Sequence, residues 1–376
     1  MVEAGMSRYS VRAGVVAGAL ALASASHAQI PDLLSSFDSG SRSSGAGGML
    51  NAVGSEANSI AYNPAALGYV SARLANASYR NLPKSRTRAS GEIADVNRKS
   101  DGLSGKGALT NLAVAVPVAR GVVGISYQVA GYIDDLERGS VSEGGDPLEK
   151  YDVRLKAQTD LYTIGYGRAS SDQLSSYGIG LVFAEHSTRS KQLIGHTDAL
   201  LIDQNVRERG NGIGVILGGE WIPKHMPNMT FGASYRSEIK LNYGSGKAKL
   251  YEAIPARLAF SAAVRQDGFR GGQDFLVYGL QAQYHFPAKG TGKLDRDGQF
   301  VAGVGAEYSY KYGNYRVPLR VGYWAAQRGN SLLDSRSVFT FGIGLRPLNG
   351  NYTIDVNYGI PRGGGYDFAF TFGYRF

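Results

Sequence analysis

From about Arg73 to its last residue the chain alternates with a period of two, bulky apolar side chains on one face and glycine or charge on the other. In MTFGASYRSEIKLNY, Met229, Phe231, Ala233, Tyr235, Ile239, Leu241 and Tyr243 oppose Thr230, Gly232, Ser234, Arg236, Glu238, Lys240 and Asn242. Successive side chains of a strand point to opposite faces, so one face is apolar and the other polar. A one-residue slip would exchange the faces. In a membrane it would put Arg236 and Lys240 into hydrocarbon, at about 2–4 kcal/mol each near the midplane. IPARLAFSAAVR repeats the pattern, with Ile254, Leu258, Phe260 and Val264 expected outward and Arg257 and Arg265 inward.

Fourteen such segments are expected, near 73–83, 108–118, 122–133, 157–169, 176–186, 206–222, 229–243, 253–266, 273–286, 299–311, 314–325, 337–346, 352–360 and 366–376. Long connections (84–107, 134–156, 187–205, 287–298, 326–336) interleave with short ones around Arg120, Ser171, Pro223–Asn228, Tyr312–Gly313 and Pro347–Asn351. Short turns at one rim and long loops at the other are the pattern of a transmembrane barrel. A soluble β-sandwich also alternates. It gives no reason for alternating loop length, or for inward glycine pairs such as Gly178/Gly180, Gly212/Gly214, Gly303/Gly305 and Gly342/Gly344. The fold class expected is therefore all-β, a 14-stranded antiparallel transmembrane barrel.

Composition agrees. The 376 residues include 52 Gly, 24 Tyr and 14 Phe and no Cys, which suits strands and turns and removes disulfides and thiolate chemistry. The formal charge of +9 is scattered rather than gathered, so no nucleic-acid partner is expected; an anionic membrane or lipopolysaccharide surface, or plain solvation, accounts for it as well. Arg8 and Arg12 precede an apolar run from Ala13 to Ala23 and a small-residue site ending at Ala28, so residues 1–28 read as a secretory signal peptide. No later stretch reaches the ~18 apolar residues of a spanning helix. Residues 29–72 lack strand pattern and place Asn63-Pro64 before Ala65-Ala66-Leu67, a capped short helix. They are read as a hatch inside the lumen of a barrel formed by 73–376.

The chain ends YDFAFTFGYRF, with Phe368, Phe370, Phe372, Tyr374 and Phe376 on one face. The last strand of an even-numbered barrel must pair with the first to abolish its edges. An aromatic lipid-facing row ending in a terminal Phe resembles the signal by which barrel-assembly machinery selects outer-membrane proteins, so Phe370, Phe372, Tyr374 and Phe376 are assigned to it.

The run GAGGMLNAV (Gly45–Val53), followed by EANSIAYNPA (Glu56–Ala65), resembles the N-terminal motif of FadL-like outer-membrane proteins. That group spans long-chain fatty-acid transporters and PorV/PorQ-type proteins. Val304–Trp324, Phe339–Leu345 and Tyr352–Pro361 are similar to the PorV-type branch. The resemblance implies a hatch with Tyr62, Asn63, Pro64 and Ala65 at its motif, and a hatch shift that passes a hydrophobic molecule through the wall into the membrane.

Little other chemistry is visible. His186, His196, His225 and His285 lack metal-ligand spacing, and no nucleophile elbow or zinc motif occurs, so no enzyme, cofactor or metal is expected. GSGKAK (Gly244–Lys249) lacks the spacing of a phosphate loop. Leu193, Ile194, Leu200, Leu201 and Ile202 make an apolar outer loop that packs on itself or binds ligand. An inward row including Arg236, Glu238, Lys240, Arg257, Glu307, Arg320 and Asp355 either tunes passage of amphipathic solutes or pairs internally. The expected partners are outer-membrane lipid, the assembly machinery and a hydrophobic small molecule. The alternative is a PorV-like partner in protein secretion that binds a secretion-system or periplasmic protein and moves no solute.

Overall fold

The computed structural model describes residues 41–50, 53–54, 56–92, 95–143, 146–196, 199–244, 251–290, 295–329, 335–362 and 366–376; the segment read as a signal peptide lies outside them. Six long strands come first: β1 (Leu74–Glu92), β2 (Asp95–Val118), β3 (Gly121–Glu143), β4 (Asp146–Ala169), β5 (Ser175–His196) and β6 (Ala199–Trp221). After β7 (Met229–Arg236) come three two-residue pieces, β8 (Ile239–Lys240), β9 (Asn242–Tyr243) and β10 (Ala253–Ile254). Seven shorter strands follow: β11 (Arg257–Phe269), β12 (Asp274–His285), β13 (Gln299–Tyr312), β14 (Tyr315–Ala326), β15 (Arg336–Pro347), β16 (Tyr352–Pro361) and β17 (Asp367–Arg375). β1–β7 and β11–β17 form a closed antiparallel ring of fourteen strands, each beside its neighbour in the chain, with β17 returning to β1.

The ring is apolar outside and polar inside. Ile125, Ile179, Ile213 and Val304 are each more than half exposed, Ile213 at 62%, whereas Glu307 is 0% exposed. A water-soluble protein inverts that order, so the outer face is built for hydrocarbon. Phe372, Tyr374 and Phe376 stand exposed on the same outer face.

Closure is specified at the seam. Leu74 to Arg80 pair with Arg375 to Ala369, the Arg80 guanidinium forms a two-pronged ion pair with Asp367, and the Ser78 and Thr371 hydroxyls meet at 2.7 Å. The amide of Phe376 donates to Arg73 O at 3.1 Å, so the last residue is held in the wall.

Three expected loops are strands. The stretches 84–107, 134–156 and 187–205 continue the ladders of β1–β2, β3–β4 and β5–β6 as hairpins standing above the apolar band. These stretches carry no apolar row on one face, so the two-residue alternation that marks a lipid-facing strand is missing there. Leu193 and Ile194 consequently belong to β5 and Leu200–Ile202 to β6, with Ile194 opposite Ile202. The side chains of Ile194, Leu200, Leu201 and Ile202 lie outside the described residues.

A second difference follows Arg236. Ile239, Leu241 and Ile254 were expected on the lipid face; they are buried, in one apolar cluster with Leu161, Val182 and Ile216 from the inner wall. Residues 237–241 leave the ladder and dent inward over β6, after which β9 pairs with β6 again at Asn211↔Asn242 and Gly210↔Tyr243. Glycine permits this, because a Cβ on Gly214 would stand 2.6 Å from Ile239 Cγ1, and one on Gly212 would strike Lys240 O. Glu238 and Lys240, expected in the lumen, are exposed.

Candidate functional site

The described residues between 41 and 70 pack on the inner wall of the ring as a five-residue helix α1 (Ser41–Gly45) and two 3-10 helices, η1 (Ala57–Ala61) and η2 (Pro64–Tyr69). Met49, Ile60, Ala65 and Leu67 are fully buried. Two glycine cradles receive it. On the β4–β6 wall, a Cβ on Gly178 would collide with the backbone of Pro64 and Ala65, one on Gly167 with Pro64 O, and one on Gly218 with Asn63 Oδ1. Across the lumen, Gly303, Gly305 and Gly322 would collide in the same way with the backbone of Ala46 and Gly47. Backbone approaches backbone only where the intervening residue has no side chain.

Each cradle is fixed by hydrogen bonds. Asn63 caps η2 by accepting from Ala65 N at 3.1 Å while its Nδ2 donates to Gly219 O at 3.2 Å, and Ser176 Oγ donates to Ala65 O at 2.6 Å. Opposite, Thr340 Oγ1 donates to Gly45 O at 3.1 Å and Gln281 Nε2 donates to Gly47 O at 3.3 Å. Arg257 reaches from β11 to the end of η1: its Nη2 donates to Tyr62 O at 3.1 Å and to Ala61 O at 3.4 Å. Its guanidinium carbon also lies 4.3 Å from the Tyr62 ring centroid, so one cation holds both the carbonyl end of a helix and the face of its aromatic neighbour. Arg236, the cross-strand neighbour of Arg257, donates to Pro255 O at 3.1 Å.

The second anchor is ionic. Arg42 grips Glu307 through two bonds of 2.9 and 2.8 Å, and Arg320 Nε donates to the same carboxylate at 2.7 Å. Arg320 Nη2 then meets Asp355 at 2.6 Å, Arg346 stands 3.7 Å from Asp355 and 3.9 Å from Glu56, and Arg42 stands 3.6 Å from Glu56. Three guanidiniums thus meet three carboxylates, two of the six groups belonging to the N-terminal segment. The network carries no net charge, which is what allows Glu307 and Arg320 to be fully buried.

Among the described residues the wall ladder is interrupted between β2 and β3, as it also is along β6 between Ile216↔Arg236 and Asn211↔Asn242. The β2–β3 ladder runs from Val118↔Gly121 to Asn111↔Gln128 and stops. Ala130 is an extra residue between the pairs Val129↔Asp160 and Gly131↔Thr159, a bulge that bends β3 away. Farther up, Ser85–Glu92 of β1 takes the vacated edge in parallel pairing with Asp135–Ser142. At the break Tyr127, Val129 and Tyr132 of β3 pack with Ala108 of β2 in a small apolar cluster.

The sequence-singled residues thus fall into separate places. Tyr62, Asn63, Pro64, Ala65 and Arg257 meet at one cradle, and Glu307, Arg320 and Asp355 at the ionic anchor. Glu238 and Lys240 join neither, and the side chains of 194–202 lie outside the described residues. Arg42, Glu56, Thr340, Gln281 and the Ala130 bulge belong to the site and were not singled out. A bulge leaves only a phase change in the alternation, and a partner in the N-terminal segment leaves no local pattern at all. His186 is bracketed by the hydroxyls of Thr159 and Thr188 at 2.9 and 3.1 Å, and among the described residues no cluster of three metal-ligating side chains occurs.

No family model matches the chain and no curated protein matches it. Solved structures do. The toluene transporter TbuX of Ralstonia pickettii superposes with a TM-score of 0.59 at 14% identity, over 90% of this chain and 98% of that one. A FadL homologue of Pseudomonas aeruginosa gives 0.57 at 14% identity over 92% and 99%, and the P. putida toluene transporter TodX gives 0.59 at 12% over 92% and 99%. The fold is that of the FadL-like barrels.

Proposed function

We propose that this chain is an outer-membrane transporter for hydrophobic small molecules, in which the N-terminal segment closes the lumen as a hatch and the molecule leaves sideways between β2 and β3. The observation that carries the reading is the interrupted ladder above Asn111 and Gln128, because a complete antiparallel wall offers an apolar solute no route to lipid. A lumen blocked by two backbone cradles favours that lateral route over passage straight through. The apolar cluster at the gap suits a solute without charge. Monoaromatic hydrocarbons are the first substrates to try, since TbuX and TodX are toluene transporters; fatty acids are the second. The secretion-partner alternative draws no support from the compared structures.

Deleting Ala130 tests the route. Without the extra residue β3 continues in one phase along β4 and the β2–β3 ladder can extend past Gln128. Uptake of labelled toluene into cells, or into vesicles holding the purified protein, is expected to fall to the background of empty membranes while heat-modifiable gel mobility still reports a folded barrel. Undiminished uptake by a folded deletion variant rejects the lateral route. Fractionation of cells producing the full chain checks the membrane assignment, which requires the protein in the outer-membrane pellet.

A further inference from the structure

The outer face of β4–β6 can be followed row by row, because the pairing is regular across all three strands. Tyr162, Phe183 and Ile213 form the last apolar row, each more than two-fifths exposed. Asp160, Glu185 and Asn211 form the next row, and Gln158, Ser187 and Arg209 the one after. Above them Lys156, Arg189 and Arg207 stand directly opposite one another across three strands, all exposed. Arg154 and Lys191 occupy the row beyond.

Like charges directly opposite on one face of a sheet are destabilising, and cross-strand Cβ atoms lie only about 5 Å apart. Counter-charge within the chain is sparse. Arg209 stands 3.6 Å from Glu185 and Arg154 binds Asp134, whereas among the described residues no carboxylate lies within ion-pair distance of Lys156, Arg189, Lys191 or Arg207. Arg189 has a long contact of 3.4 Å to the Asn205 side chain.

We infer that this row is a binding site for the phosphate groups of a phosphorylated glycolipid in the outer leaflet. Six residues along each strand separate it from the last apolar row, about 20 Å of strand and, with a barrel tilt near 40°, about 15 Å of height. A phospholipid headgroup layer is only about 5–8 Å deep, so its phosphates lie below the row. A glycolipid that carries phosphates on stacked sugars reaches it, and the flexible stems of Lys156, Arg189 and Arg207 bend toward the membrane to meet them. Guanidinium groups match phosphate oxygens two at a time, which suits the arginines at the centre. The inference uses the membrane placement proposed above and is independent of transport.

The test uses the full chain in detergent, mixed in turn with purified phosphorylated glycolipid, its enzymatically dephosphorylated form, and phosphatidylglycerol. Lipid retained is counted by native mass spectrometry. The wild-type protein is expected to keep the phosphorylated glycolipid at least tenfold better than either other lipid, and the Arg189→Gln/Arg207→Gln variant to lose that preference. Equal retention of phosphorylated and dephosphorylated glycolipid, or an unaltered preference in the folded variant, overturns the site. Equal retention of phosphatidylglycerol overturns the glycolipid assignment. If the double variant fails to fold, the dephosphorylation arm on the wild-type protein decides alone. A protein that partitions into detergent yet keeps no glycolipid fails here while retaining its membrane placement.

Discussion

At the residue scale, the N-terminal segment is held by a few groups whose loss has distinct consequences. Glu307 accepts from Arg42 and from Arg320 and has no exposure to water. Glu307→Gln leaves two guanidiniums facing an amide, and breaking one side of a buried ionic contact costs about 3–5 kcal/mol. Thermal melting in detergent should show a clear drop. Arg42→Met removes only the contact from the N-terminal side, so the barrel's melting should fall less while protease gains access to residues 41–50. Equal effects of the two substitutions would mean that Glu307 serves Arg42 alone and contributes nothing through Arg320. Gly322 makes a steric prediction, since a Cβ there would meet Ala46 C at 2.5 Å and Gly47 Cα at 2.7 Å. Backbone does not yield as a flexible side chain does, so Gly322→Ala should cost about 1–3 kcal/mol, the range of overpacking. The same protease assay should register displacement of Ala46 and Gly47; full protection speaks against the cradle.

At the scale of elements, glycine on the inner face decides where a second layer can sit. Gly212 and Gly214 on β6 let residues 237–241 lay Ile239 and Leu241 against the wall. Gly212→Val with Gly214→Val should push residues 237–241 off β6 and open them to limited proteolysis, with the fourteen-stranded ring intact by heat-modifiable mobility. A segment that stays protected would show that the pairing of β8 with β10 holds it without β6. The sequence had marked these same glycines as inward, which was correct in phase, yet the pattern carried no sign of what would press against them. Alternation was similarly silent in 84–107, where RKSDGLSGKG reads as loop because neither face of the hairpin is apolar.

At the scale of the whole molecule, the barrel is closed by a seam made from the two ends of its wall. Arg80 and Asp367 meet across that seam, and the aromatic row of β17 turns to the outside. Asp367→Ala leaves the Arg80 guanidinium without its carboxylate inside the ring and should lower the temperature at which the barrel unfolds on a gel, whereas Tyr366→Ala at an exposed position should not. By itself the sequence determined the number of strands in the ring, the lipid-facing phase of most of them and the position of the seam, and it misdirected Ile239, Leu241 and Ile254. The first three follow from local alternation, because every residue in a lipid-crossing strand reports its own solvent. Only the tertiary structure decided that α1 and η2 occupy opposite glycine cradles, that six charges from distant segments close into one neutral network, and that the wall parts between β2 and β3. These are contacts between residues far apart in the chain, and their energy depends on which backbones the ring brings together, a quantity that no local pattern contains.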